Sequence, residues 1–147
     1  MSSLQKQKGF TIVELLIVIV VIGILAAITI VAFNGIQTRG YDGRRTSDVS
    51  NVKKALELYK ADEGQYPAAC GADNSGCQVS ALSSFLVPKY IASLPQDPKS
   101  PARSYDYVRG PLASDSYAIR IYYEGVPSCK TGNNVNAGWW GALVPVC

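Results

Sequence analysis

Gly9-Phe10-Thr11-Ile12-Val13-Glu14-Leu15-Leu16-Ile17-Val18-Ile19 sets one carboxylate inside an apolar run, directly after a short leader that carries Lys6 and Lys8. Leu15 to Phe33 contains no charged residue, about 28 Å of helix at roughly 1.5 Å per residue and enough to cross the hydrocarbon of a bilayer. A membrane-spanning helix is the expectation. A carboxylate costs roughly 2.5 to 3.5 kcal/mol at mid-membrane and less near the interface, which marks Glu14 as a residue kept for a purpose. A basic leader before an apolar core ordinarily reads as a secretory signal peptide. This core is longer than a signal core, and no small-residue cleavage pattern follows it before Asn34-Gly35. A single-pass anchor whose Glu14 reaches the interface is the other plain reading.

Lys8-Gly9-Phe10-Thr11-Ile12-Val13-Glu14-Leu15-Leu16 resembles the prepilin processing and N-methylation motif shared by type IV pilins and type II secretion pseudopilins. The resemblance implies cleavage after Gly9 by a membrane peptidase that also methylates the new terminal amine of Phe10. It implies an assembly role for Glu14. Asp48 to Pro67 resembles the family's helix end and Gly-x-Tyr-Pro loop, and Leu94-Pro95-Gln96-Asp97-Pro98 resembles the Leu-Pro-x-Asp-Pro segment of its pseudopilin-like branch. The C-terminal part departs from the family: Gly125 to Cys147 lacks the acidic calcium-binding loop of the major pseudopilins and carries two cysteines and Trp139-Trp140. No proline stands near Val31, where many pilins bend.

On this resemblance the chain divides into a leader 1–9, a membrane and filament-core segment 10–33, and an exported domain 34–147 that includes the rest of the helix. The expected fold is α+β and pilin-like, one long helix packed on a small antiparallel sheet. The implied partners are other pilin subunits in a helical homopolymer, the peptidase and methyltransferase, an inner-membrane assembly platform, and the membrane before assembly. The precursor would sit in the cytoplasmic membrane with its domain outside, and the product would be a surface filament. A type IV pilus subunit, serving adhesion, twitching motility or DNA uptake, is the first reading; a type II secretion pseudopilin is the alternative.

The composition suits this picture. About 114 residues follow the span, enough for one modest core. Two of the 14 basic residues lie on the leader, leaving 12 against 11 acidic ones, so charge gives no general affinity for nucleic acid. DNA capture by Arg39, Arg44 and Arg45 is a minor reading beside a subunit or lipid-headgroup contact. These arginines also outnumber the two leader lysines, so the positive-inside rule does not orient the span. Histidine is absent and no nucleophile constellation stands out, which argues against a membrane-tethered enzyme. Neither a cofactor nor a metal is assigned: Asp97 and Asp106 read as solvated turn positions rather than calcium ligands.

All four cysteines, Cys70, Cys77, Cys129 and Cys147, lie beyond the span, as expected of disulfides formed outside the cytoplasm. The sequence permits three connectivities. Cys70 with Cys77, across a turn-forming GADNSG, and Cys129 with Cys147, tying down the chain end, are favoured. Zinc is disfavoured, because no Cys-x-x-Cys spacing accompanies the missing histidine.

Along the exported domain, Val49, Val52, Leu56 and Tyr59 share one helical face, so the first helix is expected to continue to about Glu63 and stop at Gly64. Gly35, Gly40 and Gly43 each disfavour helix by about 1 kcal/mol, which predicts a bend or loosened turn over 35–43. Ser80 is expected to cap a short helix that buries Leu82, Phe85 and Leu86. Alternation over Tyr105–Tyr107 and Tyr117–Tyr123 predicts strands, with a final edge strand near 141–146. Trp139-Trp140 reads as local packing before a glycan platform.

Overall fold

The computed structural model describes residues 9–141 and 143–147. The leader residues 1–8, with Lys6 and Lys8, lie outside the described residues. Helix α1 runs Ile12–Glu63, and the chain separates into two units after Gln37. In the first unit every large apolar side chain from Phe10 to Ile36 is exposed, and an 18-residue window of α1 has mean hydropathy 3.3 with none of it buried. The Thr29 hydroxyl within that stretch is satisfied locally, Oγ1 donating to the Leu25 carbonyl at 2.7 Å.

α1 is helical without interruption through Gly35, Gly40 and Gly43, so the loosened turn expected there does not form. Three glycines cost about 3 kcal/mol in helix propensity. The side chains of Asp42 and Arg45, fixed by long-range hydrogen bonds, offset that cost. The helix stops where the sequence says it should: Gly64 takes φ +76°, a region open to glycine, and its N–H donates to the Lys60 carbonyl at 2.8 Å.

The second unit, Thr38–Cys147, is built on the amphipathic half of α1. Val49, Val52, Ala55 and Leu56 are buried against a four-stranded antiparallel meander of β1 (Gly76–Gln78), β2 (Asp106–Arg109), β3 (Tyr117–Ile121) and β4 (Cys129–Asn133). Tyr107, Tyr117, Ile119 and Ile121 supply the sheet's side of this core. The register pairs Cys77 with Tyr107, Tyr107 with Ile119, and Ile119 with Thr131. The four-strand sheet on one long helix is the expected α+β arrangement.

Tyrosine does double work at this interface. The hydroxyl of Tyr105 donates to Asp48 at 2.9 Å, those of Tyr66 and Tyr117 to Glu57 at 3.1 Å, and that of Tyr90 to Asp62 at 3.0 Å. Each ring fills core or rim, and each hydroxyl returns to the flank of α1. Burial first, then the adjacent carboxylate, pushes the Tyr105 and Tyr117 phenols up from their ordinary values.

Several expectations are corrected. Ser80 is exposed and caps nothing; a 3-10 turn over Val79–Leu82 leads into the four-residue α2 (Ser83–Leu86), with Leu82 and Leu86 buried and Phe85 half-buried. Two consecutive turns place the inward residues four apart without a capped helix. No strand forms near 141–146 among the described residues. Lys130 N–H donates to the Pro145 carbonyl and Cys147 N–H to the Lys130 carbonyl, both at 2.9 Å, so the chain end makes one bridge beside β4 and no ladder. Pro145 lacks the N–H a longer pairing would use.

The sheet's outer face is covered as well. Trp139 packs on Val108 and Ala118, and its indole N–H donates to Asn74 at 2.9 Å. The Lys130 side chain, 1% exposed, runs beneath this segment and donates to the carbonyls of Ala137 at 2.8 Å and Trp139 at 2.9 Å. Gly132 lets β4 lie close, since a Cβ there would fall 2.0 Å from the Tyr117 carbonyl oxygen.

Candidate assembly site at the start of the helix

Thr11 precedes the first helical residue and Glu14 lies three positions on. Thr11 N–H donates to Glu14 Oε2 at 2.8 Å, the Thr11 hydroxyl donates to the same oxygen at 2.7 Å, and Glu14 N–H donates to Thr11 Oγ1 at 3.2 Å. This reciprocal arrangement is a capping box, which satisfies helix-terminal N–H groups that have no partner one turn back. The Thr-x-x-Glu spacing was visible in the sequence, and Thr11 is the residue that sequence reasoning passed over.

The box has a chemical consequence. Both Thr11 bonds fall on Oε2, while Oε1 accepts no hydrogen bond among the described residues. Glu14 is thereby held in one orientation, with an oxygen available to a donor from another molecule. Gly9 and Phe10 precede the helix as exposed, non-helical chain, and nothing within 4 Å would meet a side chain built on Gly9. Phe10 is 85% exposed. An accessible bond outside regular structure suits a peptidase, which must bind its substrate there.

A second polar centre lies lower on α1, inside the second unit. Arg45, grouped with Arg39 and Arg44 as a surface contact on sequence grounds, is instead fully buried. Its Nε and Nη2 bind the two oxygens of Asp97 at 2.7 and 3.0 Å, its Nη1 binds Asp42 at 2.9 Å, and Nη2 also reaches Glu124 at 3.1 Å. Asp97 is therefore no solvated turn residue; its side chain is also buried. Asp42 further accepts the backbone N–H groups of Glu124 at 3.0 Å and Gly125 at 2.8 Å, and Lys99 Nζ donates to Glu124 at 2.9 Å. Burial works to raise the carboxyl pKa of Asp97, but the Arg45 guanidinium and the Lys99 N–H hold it below the usual range. Burial opposes the same shift in Asp42, where the Gly125 and Glu124 amides and Arg45 prevail. Glu124 is lowered chiefly by Lys99. Arg45 is raised, mainly by its bonds to Asp97.

This knot gives the Leu94-Pro95-Gln96-Asp97-Pro98 segment a physical role. It delivers a carboxylate to the helix and ties the 95–101 and 122–125 loops to one guanidinium. Asp106, the other acid weighed for calcium, binds Arg120 at 2.5 and 3.1 Å. The cysteines are joined as Cys70–Cys77 and Cys129–Cys147, with Cα atoms 5.3 and 5.2 Å apart. The first closes the loop leading into β1, and the second fastens the chain end to β4.

The chain is similar to known proteins. A family model described as the prokaryotic N-terminal methylation motif matches residues 4–30. The type II secretion system core protein G of Escherichia coli K12 is 32% identical over 106 residues, covering 67% of this chain and 70% of the relative. Its counterpart in Vibrio cholerae is 28% identical over 144 residues, covering 93% and 92%. Fimbrial protein EcpC of Eikenella corrodens is 39% identical over 90 residues, covering 61% of this chain and 54% of the relative. No solved structure matches the chain. The methylation motif and the extent of the match to secretion core proteins place this chain in the type IV pilin-like family of pilins and type II secretion pseudopilins.

Proposed function

We propose that the protein is a pseudopilin of a type II secretion machine, a subunit that polymerises through α1 into a short fibre driving export. The observation carrying this reading is the match to secretion core proteins G, which in Vibrio cholerae extends over 93% of the chain. The type IV pilus, placed first on sequence grounds, gives way to this alternative: the fimbrial relative is matched over 54% of its own length. The Leu94–Pro98 segment, which resembles the pseudopilin branch, supports the same choice because the fold uses its Asp97.

In this reading a prepilin peptidase removes residues 1–9 and the new amine of Phe10 is methylated. Residues 10–33 cross the cytoplasmic membrane before assembly and form the fibre core afterwards, while residues 34–147 make the exported domain. The N-terminus faces the cytoplasm in the precursor. The exposed apolar side chains of α1 pass from lipid to helix contacts, so the transfer is nearly neutral in hydrophobic terms and polar groups decide register. Glu14 supplies that decision. Its Oε1 accepts the Phe10 amine of a neighbour, and a misaligned subunit would leave both charges buried and unpaired, at about 3 to 5 kcal/mol. A head-to-tail contact of this kind does not close and propagates as a helical fibre. The partners are copies of the same chain, the processing enzyme and a membrane assembly platform. No catalytic role is assigned.

Deletion of the gene in its host tests the assignment. The expected result is retention of normally secreted proteins with surface fibres unchanged. Loss of surface fibres with secretion intact would overturn the choice in favour of the type IV pilus.

A further inference from the structure

The outer side of the sheet carries a network used neither by the helix start nor by the core. Asp106 Oδ2 accepts from Arg120 Nε at 3.1 Å, Arg120 Nη2 at 2.5 Å and the Tyr122 hydroxyl at 3.0 Å, and the Ser104 hydroxyl donates to Oδ1 at 3.2 Å. The Arg120 guanidinium lies over two rings, 4.6 Å from the centroid of Tyr122 and 5.1 Å from that of Trp140. Trp140 holds φ +56°, a conformation costing a bulky residue about 1 to 3 kcal/mol, and the stack is what it gains there. Tyr122 is thus fixed at its hydroxyl by Asp106 and on its ring by Arg120.

Tyr122 lines an open cleft of about 520 Å³, a size suited to a small ligand, together with Gln78, Arg103, Ser104, Tyr123 and Ser128. Arg103 is the one charged residue of the lining. Its Nη1 donates to the carbonyls of Tyr122 and Tyr123 at 3.2 Å, while Nε and Nη2 make no hydrogen bond among the described residues. The cleft therefore joins a tyrosine held at its hydroxyl and ring, an amide, two aliphatic hydroxyls and a cation with unused donors. A purely apolar ligand would strand these polar groups, and a small inorganic anion would leave the ring unused.

We propose that this cleft binds an acidic saccharide, one sugar ring lying on Tyr122, its hydroxyls meeting Gln78, Ser104 and Ser128, and its carboxylate meeting Arg103. Full-length mature protein in lipid nanodiscs, free of sugar detergents, is titrated calorimetrically with trigalacturonate, maltotriose and inorganic sulfate. Trigalacturonate is expected to bind at least roughly tenfold more tightly than either of the others. Tyr122→Ala should weaken it by about tenfold or more, and Arg103→Gln should bring it to the maltotriose level. Because both changes could disturb neighbouring loops, Ala102→Trp, at an exposed position on the cleft wall, provides a steric block outside the network. Failure to bind trigalacturonate at about 10 mM, equal affinity for sulfate, or undiminished binding in Ala102→Trp would overturn the proposal.

Discussion

Replacing Arg45 with methionine keeps a long side chain in the core and removes the charge that Asp97, Asp42 and Glu124 surround. Asp97 suffers most, since its side chain and that of Arg45 are both fully buried and the pair is bidentate. Breaking a buried pair by removing one member costs about 3 to 5 kcal/mol, because the remaining charge is uncompensated. For a domain of this size that corresponds to a fall in Tm of roughly 10 to 25 °C. The assay is near-UV circular dichroism of the full chain in micelles, read during heating. Adding Asp97→Asn to Arg45→Met removes the stranded charge and leaves an amide oxygen for the Lys99 N–H, so the double variant should recover most of the loss.

The pH dependence makes the test sharper. In the wild type Asp97 and Asp42 have folded pKa values below their unfolded ones, so their contribution is present above about pH 4 and is lost as pH falls through the folded values. In Arg45→Met the sign reverses for Asp97, whose burial now favours the proton, and the variant should gain stability on acidification toward pH 4. A loss under about 1 kcal/mol in the single variant, or a double variant no more stable than the single, would refute the reasoning.

Three further outcomes follow from the site and the bridges. Glu14→Val should be processed normally but fail to form fibres as sole subunit, whereas Thr11→Ala, which loses about 1 kcal/mol of capping and keeps the carboxylate, should still assemble; electron microscopy of sheared fractions separates the two. Gly9 replaced by a bulky residue should leave an unprocessed precursor in the membrane, and a mature-length band on a gel would contradict the cleavage assignment. Cys129→Ser with Cys147→Ser should cost about 2 to 4 kcal/mol by the chain-entropy estimate and expose the Trp139 indole to aqueous quenchers; unchanged quenching would show that packing alone holds the chain end.

What the sequence made legible was whatever is written in one dimension. The apolar run with its single acid, the face of Val49, Val52 and Leu56, and the stop at Gly64 each depend on neighbours within a few residues. The knot does not: Arg45 and Asp97 stand 52 residues apart, and nothing in Arg39, Arg44 and Arg45 marks the third as the one that turns inward. β4 was missed for a related reason. Cys-Lys-Thr-Gly-Asn has neither apolar alternation nor β-branched density, and it is a strand because β3 pairs with it and the final segment covers Lys130. Thr11 is a different case, a local signal passed over because Glu14 had already been given another purpose.

The tyrosine hydroxyls that reach back to α1 bear on how the domain carries load. Their acceptors, Asp48, Glu57 and Asp62, are spread over about 21 Å of helix at roughly 1.5 Å per residue, and Tyr123 meets Thr46 nearer the start. In the proposed fibre, tension would reach each domain through its own helix. Under a pull along α1 these hooks would be strained side by side rather than one after another, so the domain would resist sliding along its helix better than being pried away from it.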